Sequence, residues 1–435
     1  MKRLIVAPSK SIVGAVGDLA GDKSISHRAA IFSLLSDRPS TATNFLRAED
    51  TLRSLAISER LGATIIWNGD ALTIKPPSMI EEPNDYLDCG NAGTAMRLFA
   101  GLLCAQNGFF VLSGDRYLNN RPMRRIVAPL KTIGAAIDGR KAASFAPLAI
   151  RGVPNLARFD YESSIGSAQV KSAMILAGLN ANGGVFSEPE LSRDHTERML
   201  KAMGADIRVQ NGKIAVGKKT APLAPLAIRI PADPSSGFFF AVAAAITQGG
   251  DLLLRNVTLN PSRIEAYKTL GRMGAKVEFI ARENDYEPIG DIRVRHGELN
   301  GAEVSQNVSW LIDEAPALAI AFAYAKGVSR LSGAAELRVK ESDRIASVVS
   351  NLTKCGVRAK ELPDGFEITG QTAISGATID SFGDHRIAMS FAIAALGAKS
   401  EMVINDSECV ATSFPRFADI LKSLGGAIEE QTVAD

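Results

Sequence analysis

Six times along this chain a helical stretch ends in a glycine and turns straight into a β-branched run. The strings are "RLGATI", "TIGAAI", "AMGADI", "RMGAKV", "KCGVRA" and "SLGGAI", centred on Gly62, Gly134, Gly204, Gly274, Gly356 and Gly425. Their separations are 72, 70, 70, 82 and 69 residues. A glycine there supplies the left-handed backbone that stops a helix. One such junction is common in α/β proteins, but six at near-constant spacing predict six copies of one α/β unit of roughly 70 residues.

Six units in 435 residues are too many for one hydrophobic core, which predicts two lobes of three. The Pro-rich "RIPADPSSGFFF" places the break near residue 235. The N-terminal lobe is then 21–235. The C-terminal lobe is 236–435, completed by residues 1–20 as a strand that crosses over.

Apolar residues make up 46% and the net charge is only +2. That balance argues against a general nucleic-acid or membrane-surface role, which would need a marked basic bias. Four scattered cysteines without CxxC read as free thiols in a reducing cytoplasm. "MKRLIVAPSK" has too short an apolar core for a signal peptide. "GFFFAVAAAITQGG" is too short to span a bilayer. The expectation is a cytoplasmic protein.

Charged residues gather in short polar strings. "DKSISHR" carries Lys23, Ser24 and Arg28, and "DCGNAGTAMR" carries Asn91, Gly93, Thr94 and Arg97. "YLNNRPMRR" carries Arg121, Arg124 and Arg125, "SSIGSAQVK" carries Ser167, Gln169 and Lys171, and "LSRDHTE" carries Arg193 and His195. In the other half, "ELRVKESDR" carries Arg338, Lys340, Glu341 and Arg344, and "FGDHR" carries Asp384, His385 and Arg386. Cations at helix starts, beside free N–H groups, are what anion recognition needs. Surface salt bridges are the bland reading of any one string, and that reading weakens when both halves carry them.

"AGDKSISHR" is a near miss for a nucleotide-binding P-loop, with the wrong glycine spacing and no aspartate for magnesium. A better reading is an anion site at a helix start, with a turn at Gly21 and a cap from Ser24 or Ser26. Lys340 and Arg344 fall on one face if a helix already runs through both. Asp313, ahead of the apolar run "APALAIAFAYA", either caps that helix or takes a proton from a hydroxyl. The four histidines show no HxxH or HExxH spacing, so no metal is expected. The residues suit a reaction between small anionic substrates, one of them phosphorylated.

Together these strings resemble the EPSP synthase (3-phosphoshikimate 1-carboxyvinyltransferase) family along nearly the whole chain. "NAGTAMR" and "RVKESDR" are its most specific motifs, and "DPSSGFFFAVAA", "IDEAPALAIAFA", "GDHRIAMSFA" and "SFPRF" follow in the family's order. The resemblance implies a two-lobed inside-out α/β barrel: six βαβαββ repeats, three per lobe, helices inside and sheets outside. It implies transfer of the enolpyruvyl group of phosphoenolpyruvate to the 5-hydroxyl of shikimate 3-phosphate by addition and elimination, in aromatic amino acid biosynthesis. No cofactor or metal, no nucleic acid or membrane partner and a monomeric state are implied.

By motif, Lys23, Gly93, Thr94, Arg121, Arg344 and Arg386 fall to phosphoenolpyruvate. Ser24, Arg28, Ser167, Gln169, Arg193, Asp313 and Lys340 fall to shikimate 3-phosphate. Asp313 is placed to take the hydroxyl proton, Glu341 to move a proton at the methylene carbon, and Lys23 to steady the leaving phosphate. Thr412 stands where many relatives carry lysine, Ala168 where others carry serine, His195 where some have tyrosine, and Leu98 where many have proline. Gly93 leaves the space that glyphosate uses in the family, so glyphosate is expected to compete with phosphoenolpyruvate. Two alternatives stay open: a UDP-N-acetylglucosamine enolpyruvyl transferase, which commonly uses a loop cysteine, and a non-catalytic binder of anionic metabolites.

Overall fold

The computed structural model describes residues 2–284, 286–371 and 373–432. All six junction glycines adopt positive φ, from 77° at Gly356 to 124° at Gly274. Each closes a helix: Glu49–Arg60, Arg124–Thr132, His195–Ala202, Glu265–Met273, Arg344–Lys354 and Phe417–Ser423. Each opens a strand: Thr64–Asn68, Ala136–Gly139, Ile207–Gln210, Lys276–Asn284, Arg358–Leu362 and Ala427–Thr432. An L-side chain is strained in that backbone region, which is why glycine recurs there.

The strands form six four-stranded sheets of one topology. In every sheet two strands pair in parallel and the other pairings are antiparallel. None closes on itself among the described residues, so the six sheets are separate and open.

The chain divides into two compact units, Gly21–Ile230 and Met1–Ala20 with Pro231–Asp435. The strand Lys2–Ala7 lies between Met402–Asn405 and Ala427–Thr432. At both crossings the chain leaves a unit straight after a strand. Val13–Val16 pairs with Asp251–Thr258, yet the next helix, Lys23–Phe32, belongs to the other unit. Ala227–Arg229 pairs with Ser40–Thr43, and the next helix, Pro234–Ile246, belongs to the unit of Met1–Ala20 and Pro231–Asp435.

Each unit is built on helices that are buried on nearly every side. Pro234–Ile246, Ala315–Ala323 and His385–Ala395 pack together in one unit. Gly93–Leu103 packs against both Lys23–Phe32 and Ala168–Leu179 in the other. Most candidate residues sit at or near the starts of these helices, with Arg28 and Arg97 a turn further in. Among the described residues no helix is long and apolar enough to cross a membrane.

Candidate active site

An ordinary helix carries acids in its first turn and bases in its last. Here Lys23–Phe32, Gly93–Leu103, Arg124–Thr132, Ala168–Leu179, Arg344–Lys354 and His385–Ala395 have no acid in the first turn. Lys23, Arg124 and Arg344 open their helices, and Arg386 is second in its own. A cation beside the positive end of a helix dipole calls for an anion, and aspartates cap three of these helices: Asp22, Asp343 and Asp384.

In unit Gly21–Ile230, Asp22 rather than Ser24 or Ser26 caps the first helix, accepting from the Ile25 amide at 2.9 Å. Ser26 is turned inward and its hydroxyl accepts from the Leu46 amide at 3.1 Å. Gly21 is needed for a close approach: a Cβ there would lie 1.9 Å from the Asn44 carbonyl oxygen. Lys23 is partly exposed and pairs with the Asp50 carboxylate. Arg28 is buried, donating to Thr196 Oγ1 at 2.7 Å, Ser172 Oγ at 2.9 Å and the Ser24 carbonyl at 3.0 Å.

Gly93, Thr94, Arg97, Arg121 and Gln169 come together in this unit. Arg97 donates to Gln169 Oε1 at 2.5 Å, and Gln169 Nε2 donates to Thr94 Oγ1 at 2.9 Å. A Cβ on Gly93 would stand 3.0 Å from Arg121 Nη1 and 3.1 Å from Arg97 Nη1. Two guanidinium groups therefore press against a bare backbone at a helix start. Gly93→Ala should shift both by a few tenths of an ångström and raise the KM for an anion bound there, with kcat changing less. Steady-state kinetics in each substrate checks this.

Ser167 ends the turn ahead of Ala168–Leu179, and its amide donates to Glu188 Oε2 at 3.1 Å. Ser24, Thr94, Ser167, Gln169 and Arg193 are all half-buried and reachable. Lys171 is not: it is fully buried between Glu188 and Glu197. His27 is buried too, hydrogen-bonded to Ser54 Oγ at 2.7 Å. Burial first, then Lys23 and Arg28, hold its imidazole well below the ordinary range and so neutral at pH 7.

In the other unit, Asp313 sits just ahead of Ala315–Ala323. Its side chain does not cap that helix but receives two cations. Lys340 Nζ lies 3.4 Å from Oδ1 and Arg344 Nη1 3.6 Å from it. Arg386 Nη1 donates to the Asp313 carbonyl at 2.8 Å. The helix expected through Lys340 and Arg344 starts only at Arg344, and Lys340 follows the short 3-10 turn Ala335–Val339. The two side chains meet at Asp313 by tertiary folding and not by helical spacing.

Arg344 is the fixed centre of this half. It donates to Asp384 at 2.7 and 3.2 Å and to Glu341 Oε2 at 2.6 Å. Burial would lower its pKa, but Asp384 and Glu341 outweigh that and raise it. Asp384 also caps His385–Ala395, accepting from the Arg386 amide at 2.9 Å. Burial would raise its carboxyl, but Arg344 holds it below the ordinary aspartate value of 3.8. Lys340 goes the other way, with burial lowering its ammonium pKa against the pull of Asp313.

Acid and alkaline stability follow by linkage. The depressed Asp384 contributes stability above its unfolded pKa and loses it as pH falls through its folded value. Lys171 is held above 10.5 because Glu197 and Glu188 override burial, which alone would lower it. It contributes fully below its unfolded pKa and loses that contribution as pH rises through its folded value. His27, kept neutral in the fold, adds an acid-side loss that begins as pH falls below its unfolded value of about 6.5. The melting temperature should therefore be flat between about pH 7 and 9 and fall at both ends. Asp384→Asn should shrink the acid limb alone in a scan of melting temperature against pH.

Several partners were not singled out from sequence. Asp50, Glu188, Glu197, Asp233 and Arg263 lie far along the chain from the groups they hold. Arg263 donates to Asp233 Oδ1 at 2.9 Å and Ser235 Oγ at 3.1 Å, and Ser235 donates to Glu314 beside Asp313. Conversely, Arg338 is a structural cation, tied to Asp343, Glu361 and the carbonyls of Leu362 and Pro363. Cys89 and Cys104 are buried, and burial pushes both thiols up, Cys104 to about 12. Neither is set up for chemistry at neutral pH. Among the described residues no group of three or more His, Cys, Asp or Glu is arranged to hold a metal ion.

Comparison with known proteins gives one answer. Residues 6–421 match the family described as EPSP synthase (3-phosphoshikimate 1-carboxyvinyltransferase). The chain is 60% identical over 412 residues to a 3-phosphoshikimate 1-carboxyvinyltransferase of Campylobacter curvus, covering 95% of this chain and 96% of that protein. The corresponding protein of Campylobacter concisus is 59% identical over 423 residues, covering 97% and 98%. A solved structure of an EPSP synthase from Acinetobacter baumannii superposes with a TM-score of 0.87 at 38% identity, over 99% of this chain and 100% of that one.

Proposed function

The chain belongs to the EPSP synthase family, and on that premise we propose which of its residues carry the family's reaction. Its activity is that of a 3-phosphoshikimate 1-carboxyvinyltransferase: the enolpyruvyl group of phosphoenolpyruvate passes to the 5-hydroxyl of shikimate 3-phosphate and phosphate leaves. The observation that supports the residue assignment is the set of cations Lys23, Arg124, Arg344 and Arg386 at helix starts, which suits two phosphates and two carboxylates.

Lys23, Gly93, Thr94, Arg121, Arg344 and Arg386 hold phosphoenolpyruvate. Ser24, Arg28, Ser167, Gln169, Arg193, Asp313 and Lys340 hold shikimate 3-phosphate. In the addition step Asp313 accepts the 5-hydroxyl proton as its oxygen bonds to C2 of phosphoenolpyruvate, and Glu341 delivers a proton to the methylene carbon. In the elimination step Glu341 takes a proton back from the new methyl group, the double bond re-forms, and the C–O bond to phosphate breaks. The phosphate leaves with the electron pair, and Lys23 offsets its charge. Asp313 lies within 3.4 and 3.6 Å of two cations, which favours the ionised form a base needs. Glu341 is oriented by Arg344, whose Nη2 donates to its Oε2 at 2.6 Å.

The finer architecture is part of the same proposal: three βαβαββ repeats per lobe, helices inside and sheets outside, supported by the shared topology of the six sheets. So are a monomeric state and a cytoplasmic location without nucleic-acid or membrane partners. The test is phosphate release on mixing the protein with both substrates without added metal. No release with active controls would sink the reading, and turnover of a UDP-amino sugar would replace it. Glyphosate should inhibit competitively with phosphoenolpyruvate.

A further inference from the structure

Resting on the assignment of Ser167 and Arg193 to shikimate 3-phosphate, we propose that the buried Lys171–Glu188–Glu197 triad is a clamp that positions that substrate, with Glu188 as its central positioning residue. Glu188 follows the strand Gly184–Ser187. Its Oε2 accepts from the Ser167 amide at 3.1 Å. Its Oε1 accepts from the Ser192 amide at 2.7 Å, and the Ser192 hydroxyl donates to both oxygens at 2.9 Å. One carboxylate thus joins the turn that carries Ser167 to the residue next to Arg193.

Lys171 closes the other side. Its ammonium lies 3.0 Å from Glu188 Oε1 and 2.9 Å from Glu197 Oε1, and donates to the Ser192 carbonyl at 3.0 Å. Glu197 stands beside Thr196, whose hydroxyl accepts from Arg28 at 2.7 Å. The cluster therefore ties the Ser167 amide to Ser192, the neighbour of Arg193, and Glu197 adjoins the threonine that holds Arg28. Its charged ends are almost fully enclosed, with Lys171 and Glu188 side chains 1% and 0% exposed.

Stability does not account for such a cluster. Well-packed apolar residues of similar size generally serve as well or better, because desolvating charges is costly. What a charged, directional cluster supplies is a fixed geometry for the backbone groups it holds. Displacing a binding group by about an ångström is enough to cost much of its effect.

Glu188→Gln keeps the shape but turns one acceptor into a donor facing other donors. Calorimetric titration of the variant with shikimate 3-phosphate alone should show a Kd raised about tenfold, as expected of one misaligned hydrogen-bonded contact. KM for shikimate 3-phosphate should rise alike. KM for phosphoenolpyruvate, and kcat at saturating substrates, should change by less than about threefold. Ser192→Ala, which keeps the backbone contacts, should move the same two constants in the same direction by about threefold, and it decides the matter if the first variant does not fold. Unchanged shikimate 3-phosphate binding, or an equal rise in KM for both substrates, overturns the clamp. If the wild-type protein itself does not bind shikimate 3-phosphate, the substrate assignment falls instead.

Discussion

Glu341→Gln should fold like the wild-type protein and turn over between about 10² and 10⁴ times more slowly, the range that a positioned general acid or base supplies. Glutamine has the shape of glutamate, and its amide oxygen can still accept from Arg344 Nη2, which Glu341 meets at 2.6 Å. Arg344, the buried cation Glu341 pairs with, keeps Asp384 at 2.7 Å, so neutralising Glu341 strands no buried charge. Only the proton is lost. KM for both substrates should therefore stay within a few-fold, and the loss should appear in kcat. Phosphate release under saturating conditions, with a melting curve as the control for folding, measures this. A kcat within threefold of wild type would remove Glu341 from the chemistry and leave it as a plain ion-pair partner of Arg344.

The contrast between Glu341 and its neighbours shows what a sequence reveals and what it conceals. The glycine junctions were readable because helix termination is local: it depends on a backbone angle that one residue type tolerates. The strings of cations were readable for the same reason, since a helix start and its flanking side chains are a few residues long. Pairings across the fold were not. "RVKESDR" lends itself to a helix with Lys340 and Arg344 on one face, yet the helix begins at Arg344 because Asp343 caps it, accepting from the Ala346 amide at 3.1 Å. Gly21 reads as a turn, but it is glycine because the Asn44 carbonyl passes against it. Lys171 reads as one more ligand cation among Ser167 and Gln169, and its two carboxylate partners, 17 and 26 positions later, take it out of reach. In each case the local pattern was correct in kind, and the tertiary partner decided the role.

Arg344→Met should be the most damaging single change, because it removes the cation that several acids share. Arg344 is 1% exposed and its partner Asp384 is wholly enclosed. Truncating one member of a buried pair leaves the other charge uncompensated and costs about 3–5 kcal/mol. In a unit of this size that is a fall of roughly 6–20 °C in melting temperature. Activity should vanish as well, since Glu341 loses its orienting partner and Asp313 one of its two cations. The cause is separable from a mere packing defect. Asp384→Asn removes the stranded charge while keeping a good N-cap for His385–Ala395, whose Arg386 amide it accepts at 2.9 Å. Added to Arg344→Met, it should recover part of the lost stability, so that the double variant falls short of the sum of the singles by about 0.5–3 kcal/mol. Recovery without activity would place the stability in the Arg344–Asp384 pair and the catalysis in Arg344 with Glu341 and Asp313. Strict additivity in a double-mutant cycle would show instead that Asp384 is not the charge Arg344 neutralises.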